Sequence, residues 1–155
     1  NKRVLEFRVI ETRLMKPKSR LKFSLAFSLI KKNNIEWIIQ KCTELGVSEF
    51  IPLVSERSEK KGFNIDRAKK IMIEACEQSG RVELPTINEP KPLAEFLNSK
   101  KRNLFCFHPK GNNLDRESFS KLSEIVVCVG PEGGWSEKEI LMFKRRISKQ
   151  EYLNQ

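Results

Sequence analysis

Gly130-Pro131-Glu132-Gly133-Gly134 interrupts an apolar run, and Ser136 and Glu139 follow at once. Three glycines in five residues permit positive φ and close approach of a ligand to the backbone, while Pro131 fixes one φ and removes one N–H. Ser136 and Glu139 stand at capping-box spacing, which predicts a helix starting there. Ahead of the loop, Ile125-Val126-Val127-Cys128-Val129 reads as a strand buried on both faces. Strand, glycine loop and capped helix together form a unit that binds ligands at the strand ends of open α/β sheets. The loop is not a phosphate cradle of the Walker kind, because no Gly-Lys-Ser/Thr follows, and the G-x-G-x-x-G spacing of dinucleotide sites is absent. Taken alone, it fits a tight structural turn equally well.

Few other side chains offer chemistry. His108 is the single histidine; it follows an apolar strand and could bind a ligand, relay a proton or serve structure. Arg81, just past Gly80, is either a fixed cation or an exposed arginine on the preceding helix's last carbonyls. Glu132 could orient a ligand or hydrogen-bond loop amides. Lys31, Lys32, Lys41 and Arg57 are candidate phosphate contacts, which position a nucleic acid without reading its sequence. Each of these four also reads as a solvated charge. Trp37 and Trp135 are expected in the core or at a subunit contact ahead of stacking on a base.

The elements that must position these residues alternate. Residues 2–12 read as an amphipathic strand and Lys16–Arg20 as a linker. Leu21–Ile30 reads as a central strand, after which an Asn can cap a helix carrying Ile35, Ile38, Ile39, Cys42 and Leu45 inward, with Gly46 at its end. Phe50–Val54 is the next strand. A second helix runs from about Ile65 to Gly80, with Ile65, Ala68, Ile71, Met72, Ala75 and Cys76 inward. Pro85, Pro90 and Pro92 mark a loop before a short helix at Leu93–Leu97, and Leu104–Phe107 is a strand. A short helical stretch near Arg116–Leu122 leads into the organising strand, and the last helix turns Ile140, Phe143 and Ile147 inward. This β-α alternation predicts an α/β fold with a mostly parallel sheet and helices on both faces.

At 155 residues the chain fits one domain, able to bury about 70% of its unfolded surface. Its apolar runs fall far short of the roughly 18 residues that span a bilayer. Thirty Lys and Arg against twenty Asp and Glu give a net charge of +10, which favours an anionic partner, RNA or DNA before membrane. Cys42, Cys76, Cys106 and Cys128 form no CxxC pair, which argues against zinc and for reduced, structural thiols in the cytosol. The chain opens without Met and directly on strand-like sequence, and is expected to be a fragment.

Gly130–Ser136 with Glu139 resembles the cofactor loop of the SPOUT (α/β-knot) methyltransferases. Within them it is most similar to the enzymes that methylate N3 of a uridine in small-subunit ribosomal RNA. Further blocks agree in order and spacing: Glu36–Val47 resembles that family's first helix, Ser55-Glu56-Arg57-Ser58 its following loop, and Glu74–Arg81 with Pro85 its second helix and exit. Phe107-His108-Pro109 matches the end of its fourth strand. The resemblance covers residues 20–147. It implies a SPOUT domain at residues 17–155 and, at residues 1–16, the last strand of a PUA-like RNA-binding domain with its linker. The family's closing segment, of the type Leu-Gly-x-Arg-Ile-Leu-Arg-x-Glu-Thr-Ala, is missing after Ile147, so the knot is expected to be incomplete.

The resemblance also implies a cofactor, S-adenosyl-L-methionine, bound by backbone groups at strand ends. Phe107, His108, Val129, Gly130, Pro131, Glu132, Gly133 and Gly134 are the implied cofactor residues, with the glycines leaving room for the adenine and Val129 and Phe107 flanking it. Arg81 and Glu132 are the implied catalytic residues, Arg81 stabilising the uracil anion as its imide proton leaves. Lys31, Lys32, Lys41, Arg57 and Arg81 are the implied RNA contacts. The implied partners are small-subunit ribosomal RNA or the assembled small subunit, and a second copy of the chain in a homodimer. No metal and no membrane are implied. Two other readings stand beside this one: a non-catalytic RNA-binding remnant of such an enzyme, and a metabolite-binding α/β protein using the glycine loop for another nucleotide.

Overall fold

The computed structural model of the protein describes residues 6–12, 21–59, 63–99, 103–112, 122–146 and 152–153. Within them the apolar runs form one sheet: β1 (Lys22–Ser28), β2 (Glu49–Val54), β3 (Thr86–Ile87), β4 (Lys91–Pro92), β5 (Leu104–Asn112), β6 (Glu124–Val129) and β7 (Tyr152–Leu153). Their spatial order is β3-β2-β1-β6-β5-β7, with β4 paired to β2. Every described pairing is parallel. The register places Ser24 level with both Glu49 and Val126, and Phe27 level with Val129. All carboxyl ends of the central strands therefore share one edge.

Parallel neighbours need crossovers, and helices supply them. They are α1 (Lys32–Glu44), α2 (Ile65–Ser79), α3 (Leu93–Asn98) and α4 (Glu137–Arg146). Alternate strand residues face opposite sides, and the core divides accordingly. Leu25, Phe27, Phe50 and Val127 pack with Ile35 and Ile39 of α1 and Ile71 and Met72 of α2. Ala26, Ile51, Leu53, Val126 and Cys128 pack on the other face with Leu93 and Phe96 of α3, Phe143 of α4, and Trp135. Helices cover both faces, as the alternation predicts.

Local chemistry fixes the helix limits. The Asn64 side chain accepts the Arg67 N–H at 2.9 Å to cap α2. Gly80, at φ 66°, ends it in the left-handed region where a side chain would be strained. Pro52 sits inside β2 without strain. Alternate carbonyls of β2 point outward, and β2 pairs with β3 through Glu49 and Phe50 and with β4 through Leu53 and Val54. The missing N–H of Pro52 faces the break between them, where a ladder bond is not required.

Several expectations are corrected. Residues 6–12 lie in no strand, and Phe7, Val9 and Ile10 are exposed; a strand needs a neighbour to take its backbone groups, and the described residues provide none. Helix α1 begins at Lys32 with Lys31 as N-cap and no side-chain cap bond, so Asn33 and Asn34 are already inside its first turn. Leu45 is exposed rather than inward, because the helix ends at Glu44. Strands β3 and β4 lie in the stretch read as a proline loop, and β5 runs past Phe107 to Asn112. The remaining expectations on residues 2–5, 16–20, 116–121 and Ile147 fall outside the described residues.

Candidate functional site

Four strand ends meet at the carboxyl edge of the sheet. β1 delivers Lys31 and Lys32, both exposed at the start of α1. β2 delivers Ser55–Glu59, a turn stapled by Ser58, whose hydroxyl accepts the Ser55 N–H at 3.0 Å and donates to the Ser55 carbonyl at 2.8 Å. Beneath it, the buried Ser28 hydroxyl donates to Ser55 Oγ at 2.9 Å and ties the ends of β1 and β2 together. β5 delivers Phe107 and His108, both half-buried. Cys106 is level with Cys128, so Phe107 and His108 continue alongside Val129 and Gly130.

β6 delivers the glycine loop. The Gly134 N–H donates to the Pro131 carbonyl at 2.8 Å, closing a turn with exposed Glu132 and Gly133 at its tip. The structure gives two glycines reasons other than room for an adenine. A Cβ on Gly130 would stand 3.1 Å from Cε2 of buried Trp135. Gly134 has φ 67°, a conformation that favours glycine. Trp135 packs edge-on to Phe143 with centroids 4.9 Å apart, which makes it a core residue. Among the described residues its buried indole N–H meets no acceptor in full hydrogen-bond geometry, although the Cys106 sulfur lies near enough to feel it.

The loops hold one another. Arg57 Nη1 donates to the Gly133 carbonyl, and Asn34 Nδ2 donates to Glu132 Oε1 at 3.4 Å. Glu139, buried at the start of α4, accepts the Ser136 N–H at 2.9 Å on one oxygen and the Glu56 N–H at 2.8 Å on the other. The Glu139 N–H is in turn 3.3 Å from Ser136 Oγ. The sequence exposed Ser136 and Glu139 as a local pair. Asn34 and the second bond of Glu139 carried no local signal, because their partners lie 98 and 83 residues away.

Two expected residues do not join this edge. Arg81 donates to the carbonyls of Thr43 at 2.9 Å and Val47 at 2.6 Å, at the carboxyl end of α1. Val47 stands two residues ahead of Glu49, which puts it level with Glu124 and six positions before Gly130. At ~3.3 Å per residue, the Arg81 anchor is about 20 Å from the glycine loop within one chain. Gly80 turns the chain at the foot of α2, and a positive side chain there meets the partial negative charge of a helix end. The sequence-level alternative to catalysis was contact with helix carbonyls; the helix is α1 rather than α2, and Arg81 is half-buried. Lys41 is also at that far edge, paired with Glu44 at 3.0 Å.

The thiols nearest this site, Cys106 and Cys128, are buried in the core beneath it. Burial pushes the Cys106 thiol up to about 12, with the Trp135 indole acting weakly against it. Burial raises the Cys128 thiol further above its ordinary value, helped by neighbouring Cys106. Both remain protonated near neutral pH. Among the described residues, no group of three His, Cys, Asp or Glu could hold a metal ion, and no helix is long and apolar enough to cross a membrane.

Fold and site together define a doubly wound parallel α/β domain whose glycine-loop site lies at the carboxyl edge of the sheet, where such domains take their ligands. Comparison with known proteins makes the class specific. Residues 17–153 match the family described as an RNA methyltransferase domain, and the chain belongs to that family. It is 33% identical over 136 residues to the ribosomal RNA small subunit methyltransferase E of Rickettsia conorii, covering 84% of this chain and 55% of that protein. It is 37% identical over 133 residues to the protein of the same name from Helicobacter pylori, covering 81% of this chain and 55% of that protein. Among solved structures it resembles the Neisseria gonorrhoeae ribosomal RNA small subunit methyltransferase E bound to S-adenosyl methionine. That match has a TM-score of 0.76 at 28% identity and covers 87% of this chain and 57% of the other. The chain thus spans about half the length of the relatives it matches. These findings bear out the resemblance to the α/β-knot methyltransferases and the α/β fold expected from it.

Proposed function

We propose that the chain is the catalytic-domain portion of an S-adenosylmethionine-dependent methyltransferase acting on N3 of a uridine in small-subunit ribosomal RNA. The observation that carries the reading is the Gly130–Gly134 loop, set by Pro131 and Trp135 at the carboxyl edge and flanked by half-buried Phe107 and Val129. Those residues fit the cofactor: an apolar rim suits an adenine ring, and the exposed turn at Glu132 and Gly133 offers backbone groups to its polar parts. When bound, S-adenosylmethionine supplies an electrophilic methyl group to a uracil nitrogen that has lost its proton.

The chain's own residues position and neutralise. Phe107, His108, Val129 and the loop Gly130–Gly134 hold the cofactor, and Glu132, tied to Asn34, orients it or the base. Lys31, Lys32 and Arg57 lie on the same edge and hold RNA phosphates. Alignment of the reacting atoms supplies much of the rate. Arg81 is too far to serve the loop of its own chain. The homodimer implied by the resemblance gives it a route to the loop of a second copy, and both features belong to this proposal. The cytoplasm, where ribosomal RNA is found, is the proposed location.

Titration calorimetry with S-adenosylmethionine tests the reading. Saturable one-site binding is expected, weakened by substitution of Gly134. A folded chain that binds no cofactor overturns it, and retained ribosomal RNA binding in that chain would favour the non-catalytic RNA-binding alternative.

A further inference from the structure

Glu139 does more than its local motif asks. In a capping box the third helical residue returns its side chain to the N–H of the capping residue, and Glu139 Oε2 does so with Ser136 at 2.9 Å. The other oxygen reaches out of the motif to the Glu56 N–H in the β2 loop, at 2.8 Å. Glu139 is only 6% exposed, and both partners of its carboxylate are backbone N–H groups rather than a side-chain cation. Charge-assisted bonds of this kind are short and strong when shielded from water. Nearer the surface, Arg57 crosses between the same two loops in the opposite direction, from the β2 turn to the Gly133 carbonyl. Helix capping alone would be met as well by glutamine, the motif's other residue. The bond to Glu56 has no capping purpose.

We propose that Glu139 is a positioning residue of the site. Its single buried carboxylate locks the β2 turn against the glycine loop, so that Arg57 and the Gly133–Gly134 backbone are already arranged when the cofactor arrives. Holding a loop in its bound geometry removes an ordering cost from binding. The inference rests on the cofactor reading of the glycine loop given above.

Glu139→Gln separates the two roles. Its amide oxygen still accepts the Ser136 N–H, while its NH2 faces the Glu56 N–H, donor against donor. The expected result is a chain that still folds with a lowered thermal midpoint, lost hydrogen-exchange protection at the Glu56 amide, and affinity for S-adenosylmethionine weakened about tenfold. Glu56→Pro deletes the same bond from the donor side without touching Glu139, and should weaken binding similarly. Unchanged protection at Glu56 in Glu139→Gln would overturn the proposal, as would parental affinity once that protection is lost. A parental chain that binds no S-adenosylmethionine would instead overturn the cofactor reading, while exchange at Glu56 still decides whether the lock exists.

Discussion

The indole of Trp135 lies against the backbone of Gly130, so close that a methyl group on Gly130 would stand 3.1 Å from Cε2 and 3.2 Å from Nε1. Trp135 cannot retreat, because it is buried and backed by Phe143. Gly130→Ala should therefore destabilise the fold by about 1–3 kcal/mol, the usual cost of overpacking. Urea denaturation reads this directly. In a Trp135→Phe background, where the smaller ring leaves space, the same substitution should cost clearly less.

Arg81 is held by two carbonyls at the end of α1. Arg81→Met keeps the stem and deletes the donors, and should cost about 1–3 kcal/mol of stability. Affinity of the isolated chain for S-adenosylmethionine should stay within about twofold, since the site lies about 20 Å away. A stable variant with abolished cofactor binding would contradict this placement.

The two edges of the sheet should separate in RNA binding. Lys31→Gln and Lys32→Gln, at the carboxyl edge, should each flatten the dependence of log affinity on log salt by about 0.7–0.9. Lys41→Gln, at the other edge and paired with Glu44, should leave that slope unchanged. Equal effects from all three would mean that RNA does not choose between the edges.

Cys106 and Cys128 should be inert in the folded chain. A thiol whose folded pKa is raised stays protonated inside while the unfolded chain ionises from its ordinary value of 9.0, so its contribution to stability is full below that pH. The contribution is lost as pH rises from there toward about 12 for Cys106. The denaturation midpoint should fall over that interval, and less steeply in Cys106→Ala. A disulfide reagent at pH 8 should reach these two thiols only on unfolding.

Legibility in the sequence followed locality. The end of α2 could be read because Gly80 acts on its own helix, and α3 was announced by Pro92 before Leu93. β3 and β4 left no trace, being two residues each and existing only through pairing with β2. The glycine loop was found, but the reason for Gly130 was hidden until Trp135 was seen to pack on it. Arg81 is the instructive case. A residue just past a crossover helix must lie at the amino edge of a parallel sheet, so its distance from a loop at a strand's carboxyl end was implicit in the order of elements. Motif resemblance grouped residues that chain topology separates.

The break opposite Pro52 also bears on the behaviour of the chain among its copies. Among the described residues the sheet ends beyond β2 in two fragments, Thr86–Ile87 and Lys91–Pro92, with Asn88, Glu89 and Pro90 between them. A continuous edge would offer a row of unpaired N–H and C=O groups on which another chain could add a strand. This interrupted edge, with Pro90 in its gap and Pro92 in β4 itself, cannot template a long ladder. On that side the described sheet is guarded against fibrillar self-association by Pro90 and Pro92, which stand beside the proline that β2 absorbs.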